Sequence, residues 1–195
     1  MHIVDTKYGT FFLSDTMANQ VVDEETLFDI ARLTRMGVEY FACDPVIAMV
    51  SHSNFGSSNT PESKMVHNVV DRLHNLYPGL AVDGEMQLNY VFNDELRDNH
   101  YPFSRLNGKK VNTLVFPNLS AATTAYRMLL QMGGVEAVGP IQMGLNKPVH
   151  FINVDSSVRD IINLTTIAVL DAVVAEKIEN AKLLAATDVP SHDTY

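Results

Sequence analysis

Tryptophan is absent from this chain, and cysteine occurs once, at Cys43. A single thiol excludes an internal disulfide framework and fits a reducing compartment. Basic residues are also scarce: 14 Lys and Arg stand against 23 Asp and Glu, a formal net charge of -9. Nothing basic is clustered to neutralise phosphates, which argues against nucleic acid as a partner. No apolar run approaches the roughly 18 residues that a bilayer span requires, so no membrane partner is expected. The opening Met1-His2-Ile3-Val4-Asp5 lacks the basic start and long apolar stretch of a signal peptide. The expected location is the cytoplasm.

What is present is apolar and periodic. The 195 residues are 46% hydrophobic, enough for one sizeable core and an appended segment. Apolar runs of strand length alternate with helix-period segments, which predicts an α/β architecture. Strands are expected at Thr10 to Leu13, Val46 to Val50, Leu80 to Val82, Asn112 to Phe116, Ala137 to Pro140 and Val149 to Ile152. The first sixteen residues read as a hairpin-like entry rather than the start of a βαβ unit.

Helix signals lie between these runs. Asp23 caps a first helix with Leu27, Ile30, Ala31 and Thr34 on one face and Gly37 at its end. Thr60-Pro61-Glu62 opens a second, with the stripe Met65, Val66, Val69, Leu73 and Leu76. A third runs from about Ser120 to Met132 and stops at Gly133-Gly134. The longest begins near Ser157, repeats apolar residues at helical spacing through Ala172 and ends near Ala186. The tail from Thr187 to Tyr195 is polar and reads as disordered.

Two loops carry candidate chemistry. Ser51-His52-Ser53-Asn54-Phe55-Gly56-Ser57-Ser58 follows an apolar strand and precedes a helix. In an open α/β sheet, ligands sit beyond the carboxyl ends of the strands. Hydroxyls, a glycine and a helix N-terminus suit a phosphate or carboxylate, although no lysine follows as a nucleotide loop would need. An ordinary polar βα loop is the competing reading. Asp83-Gly84-Glu85-Met86-Gln87 offers two carboxylates for a metal or for acid–base work, or else a common Asp-Gly turn in which Glu85 orients a loop.

The seven histidines lack the His-x-x-x-His spacing of a metal site, and no metal is expected. His150 reads as a satisfied histidine inside an apolar strand. Cys43 reads as a small buried residue, and Met128, Met132 and Met143 read as core filler.

Four segments, in this order, resemble the phosphate acetyl/butyryltransferase family. They are Pro45 to Ser51 leading into Gly56-Ser57, then Val82 to Gln87, then Val111 to Leu119, and last Gly139 to Leu145 with Lys147-Pro148-Val149. Together they cover most of Asp44 to Ala172. Within that family the chain is more similar to the C-terminal module of bacterial multidomain malic enzymes. The loop Ser-His-Ser-Asn-Phe-Gly-Ser at Ser51 to Ser57 and the run Lys147-Pro148-Val149-His150 followed by Ser157-Val158-Arg159 carry that likeness.

The resemblance implies a three-layer αβα, isocitrate-dehydrogenase-like fold, with this chain supplying one lobe plus the C-terminal helix of the other. Residues 1–186 would be the C-terminal part of a phosphotransacetylase-like domain, and the chain a module of a longer protein. In such fusions the module is regarded as regulatory, sensing acetyl-CoA. NADP and a divalent metal would belong to a malic-enzyme part outside this chain, which itself would carry no cofactor. A homodimer, within a larger homo-oligomer of the whole protein, is the implied assembly.

One departure from the family bears on catalysis. The transferases place a Ser-Arg pair, with an acidic residue further on, at the corner after the last strand. Here those positions are Asn153, Val154 and Asp160. Valine holds no anion, whereas arginine offers a planar fork of donors. The resemblance therefore implies a retained scaffold with no catalytic residues, and a ligand held by Ser51, Ser53, Asn54, Gly56, Ser57, Asn153, Arg159 and Asp160. Asp160 has a purely structural alternative as the charge at a helix N-terminus.

Overall fold

A computed structural model describes residues 1–154 and 156–187. It divides into two compact units, Met1–Met143 and Gly144–Tyr195. The disordered-tail expectation, apart from Thr187, falls outside the described residues.

The first unit is built on a six-stranded mixed sheet in the order β4-β3-β5-β2-β1-β6. The strands are β1 (His2–Thr6), β2 (Gly9–Ser14), β3 (Val46–Val50), β4 (Ala81–Met86), β5 (Thr113–Val115) and β6 (Glu136–Val138). β1 and β2 form an antiparallel hairpin, His2 opposite Leu13, as the opening residues predict. β2, β5, β3 and β4 run parallel to one another, and β6 closes the far edge antiparallel to β1.

The period-2 alternation of the strands sends side chains to two cores. Ile47 and Met49 of β3, with Val82 and Val115, pack against Leu27, Ala31, Val66, Val69 and Leu73. Those residues belong to α1 (Glu24–Tyr40) and α2 (Pro61–Leu76). Ala48 and Val50 point the other way, into a cluster with Leu13, Met86, Leu114, Phe116 and Ala122. Beside that face lie α3 (Leu88–Val91), α4 (Asp94–His100) and α5 (Leu119–Met132).

The expected caps are in place. Asp23 accepts from Thr26 N, and Thr60 from Ser63 N with Pro61 in the first turn. α5 begins at Leu119, and Asn118, which the sequence reading did not single out, caps it by accepting from Ala121 N. α1 does not stop at Gly37, however, but runs on to Tyr40. Gly37 is a packing residue: a Cβ there would come within 3.0 Å of Met143 Cε and 3.1 Å of Met1 Cε.

Other expectations are corrected. Asp83-Gly84 is no turn, because β4 continues to Met86. Gly84 lies so close to β3 that a Cβ would stand 2.5 Å from Met49 O. Cys43 is exposed rather than buried, in the segment between α1 and β3. Met128 and Met132 are exposed on α5, so neither fills the core.

The second unit contains α6 (Val158–Thr187). The strand expected at Val149 to Ile152 does not form. Val149, Phe151 and Ile152 are exposed, and no strand is described in this unit for them to pair with. A short apolar run forms a strand only when a ladder accepts its backbone groups. His150 is nonetheless satisfied: its side chain is buried, with Nε2 3.0 Å from Asp171 Oδ2. No helix among the described residues is long and apolar enough to cross a membrane.

Candidate functional site

The polar corner after β3 is organised by one carboxylate. Glu85, in β4 and 1% exposed, reaches across to the neighbouring loop. Its Oε1 accepts from Ser53 Oγ at 2.9 Å and from Gly56 N at 2.7 Å. Its backbone carbonyl accepts from Phe55 N at 2.8 Å. A carboxylate buried this deeply is tolerable because donors converge on it.

The loop's remaining polar groups are mostly spent on one another. Ser53 Oγ also accepts from Ser58 N at 2.9 Å, and Ser57 Oγ accepts from Asn54 N at 2.8 Å. Asn54 Oδ1 accepts from Gln87 N at 2.8 Å, and Gln87 Nε2 donates to His52 O at 2.6 Å. Ser51 Oγ accepts from Ser53 N at 3.3 Å. Ser51, Ser53 and Asn54 are buried and shape the loop, while Gly56 and Ser57 form its exposed edge. Phe55 and Gly56 take positive φ, 46° and 85°, the conformation that turns this edge outward.

Two partners of this corner carried no signal in the sequence. Gln87 locks Asn54, and His67 of α2 places Nδ1 3.7 Å from Glu85 Oε2, an oxygen without a hydrogen-bond partner. Helix periodicity puts His67 on the polar face of α2, and only the sheet register brings Glu85 beneath it. The second carboxylate of the motif is structural: Asp83 Oδ2 accepts from Ser104 Oγ at 2.8 Å and Arg105 N at 2.7 Å. Among the described residues no group of three His, Cys, Asp or Glu is arranged to hold a metal ion.

The other candidate corner lies in the second unit. Asn153 N donates to Ser156 Oγ at 2.9 Å, and Ser156 N returns a bond to Asn153 O at 3.1 Å. Asp160 Oδ2 accepts from Ser157 N at 2.9 Å and Ser157 Oγ at 2.7 Å, while Asp160 N donates to Ser157 Oγ at 3.2 Å. This reciprocal pairing is a capping box at the start of α6. Arg159 and Val154 are exposed. An apolar, fully exposed side chain therefore stands where the resemblance places the transferases' arginine.

Comparisons with known proteins agree with this architecture. The chain is 37% identical over 166 residues to an NADP-dependent malic enzyme of Salmonella typhimurium, which covers 84% of this chain and 22% of that protein. It is 32% identical over 162 residues to a phosphate acetyltransferase of Bacillus subtilis, covering 83% of this chain and 50% of the relative. Among solved structures, a phosphotransacetylase from Streptococcus pyogenes superposes with a TM-score of 0.78 at 30% identity, over 90% of this chain and 53% of that one. The chain thus spans about a fifth of the malic enzymes, and about half of the transferases, that it matches. The phosphate acetyl/butaryl transferase family matches residues 1–169, and the chain belongs to that family.

Proposed function

We propose that this chain is a regulatory, oligomerising and non-catalytic phosphotransacetylase-like module of an NADP-dependent malic enzyme, and that it senses acetyl-CoA. The whole protein would oxidatively decarboxylate malate to pyruvate, with NADP and a divalent metal bound outside this chain. The observation that carries the reading is the corner at Asn153-Val154. An exposed valine replaces a cation there, and Asp160 is committed to its helix cap. Charge developing on a transferred acyl group would lack the arginine that the resemblance places at this corner. The identity to malic enzymes over most of the chain supports the same parent.

Gly56 and Ser57 are the proposed contacts of the first unit, with Ser51, Ser53 and Asn54 holding them in shape. Asn153 and Arg159 are the proposed contacts of the second. Binding would shift the parent's activity by favouring one of two arrangements, with a coupling of about 1–3 kcal/mol.

Oligomerisation is supported by uncovered apolar surface. Val158, Ile161, Ile162, Val169, Leu170 and Val173 of α6 are exposed, more than one face of a solvated helix carries. The first unit has an open groove of about 1140 Å³ lined by residues that include Val4, Phe11, Val91, Met128 and Met132.

The test uses the full-length protein. Acetyl-CoA is titrated calorimetrically, and malate oxidation is measured with and without it in the wild type, Asn153→Ala and Arg159→Ala. Acetyl-CoA sensitivity lost in either variant supports the assignment. Sensitivity unchanged in both places the effector elsewhere, and absence of binding to the wild type leaves a purely architectural module.

A further inference from the structure

The polar corner borders a group of aromatic rings that the proposed function does not use. Phe55 comes from the loop itself, Tyr90 from α3, and Tyr101 and Phe103 from the segment after α4. The Phe55 ring lies 4.7 Å from Tyr101 and 5.1 Å from Phe103, centroid to centroid. Tyr90 meets Tyr101 edge-on at 5.0 Å. Phe103 is 68% exposed, so this ring presents its surface to solvent instead of filling a core.

We propose that Phe55, Tyr101 and Phe103 form a stacking platform for the adenine ring of an acyl-CoA. The inference rests on the reading that this chain binds acyl-CoA, and it names the end of the ligand that these rings hold.

The platform is preorganised from below. Phe55 N donates to Glu85 O at 2.8 Å, and Tyr101 N to Arg97 O at 2.7 Å. Ser104, the next residue after Phe103, is buried and donates to Asp83 Oδ2 at 2.8 Å. Arg97, 0% exposed, ties the same region together by donating to Lys109 O at 2.7 Å and pairing with Asp98 at 3.0 Å. Rings held in place lose little entropy when a flat partner settles on them, and base–aromatic stacking contributes about 1–3 kcal/mol per base.

The chemistry of the surroundings selects the occupant. The exposed edge of Gly56 and Ser57 directly follows Phe55 in the chain, so a ligand on the rings also meets hydroxyl and backbone groups. A nucleotide is both flat and polar, whereas an apolar peptide would leave those groups unpaired. The chain carries -9 overall, yet residues 99–135 contain no Asp or Glu and do contain Arg105, Lys109 and Lys110. The segment that supplies Tyr101 and Phe103 therefore sets no carboxylate of its own against the phosphates that accompany adenine in CoA.

The test is to titrate the full chain with acetyl-CoA, with 3′,5′-ADP (the nucleotide end of CoA) and with acetyl-pantetheine (the end without adenine). In Phe103→Ala the affinities for acetyl-CoA and 3′,5′-ADP are expected to fall about tenfold, equivalent to 1.4 kcal/mol, with acetyl-pantetheine unchanged. Phe103→Trp should retain binding. Because the chain has no tryptophan, it should also report 3′,5′-ADP by fluorescence quenching. Equal affinities of wild type and Phe103→Ala for acetyl-CoA would overturn the platform while leaving acyl-CoA sensing intact. A wild type that binds none of the three would overturn both. A change of oligomeric mass in Phe103→Ala with nucleotide affinity unchanged would make the rings a protein contact and equally overturn the proposal.

Discussion

Glu85 shows how one side chain can shape a functional corner from a distance. It lies 32 residues from Ser53 in sequence, yet one of its oxygens fixes both Ser53 and Gly56. Removing it strands two donors and costs more than the bonds themselves contribute. Glu85→Ala is expected to lower stability by about 3 kcal/mol, and Glu85→Gln, which keeps one acceptor, by about 1 kcal/mol, measured from urea midpoints. His2 supplies a second test. Burial, and next the adjacent N-terminal ammonium, push its pKa from 6.5 down to about 3. Its ring stacks on Tyr126 at 4.0 Å, and its Nδ1 is 2.6 Å from Thr16 Oγ1. Between those pH values the unfolded chain binds a proton that the folded chain refuses. The penalty is absent above about 6.5 and grows as pH falls towards 3, at about 1.4 kcal/mol per unit at most. Urea midpoints should therefore fall between pH 7 and pH 5, and His2→Gln should flatten part of that slope.

Elements depend on a few contacts that secondary-structure signals do not show. β4 pairs with β3 through Gly84, whose φ of 150° and 2.5 Å approach to Met49 O leave no room for a methyl group. Gly84→Ala is expected to destabilise by about 3 kcal/mol through strain and sheet displacement, and to loosen the Ser51–Ser57 corner attached to β4. At α6 the capping box of Ser157 and Asp160 satisfies N–H groups at the helix start. Asp160→Ala should cost about 1 kcal/mol of helix stability, read as faster amide exchange in the first turn. A structural cap predicts that Asp160→Asn retains most of that protection.

At the scale of the whole molecule, the fold belongs to the phosphate acetyl/butaryl transferase family, and the proposed non-catalytic role carries a direct prediction. No measurable acetyl transfer between acetyl phosphate and CoA is expected. Loss of one preorganised charge stabiliser typically costs about 10²–10³ in rate, and the resemblance implies that both members of the Ser-Arg pair are replaced. A coupled assay that finds turnover at roughly 1–10³ s⁻¹ would refute this. The uncovered apolar residues of α6 predict self-association. Light scattering at micromolar concentration should return twice the 21.6 kDa chain mass, and a monomer would count against it.

The sequence by itself determined the α/β class, the first-unit strands from β2 to β6 to within a few residues, and the caps at Asp23 and Thr60. Those features rest on local periodicity and on side chains that bond their own backbone three residues away. Only the tertiary structure decided the rest. Val149 to Ile152 has the composition of a strand but no ladder to join among the described residues of its unit, and Gly37 lies within α1 where Met143 and Met1 fill the space a Cβ would take. Asp83-Gly84 extends along β3 instead of turning, since Ser104 and Arg105 hold the carboxylate. The Glu85 anchor and the aromatic rings around Phe103 join segments tens of residues apart. Sheet register and loop closure create such contacts, and neither leaves a periodic trace in the chain.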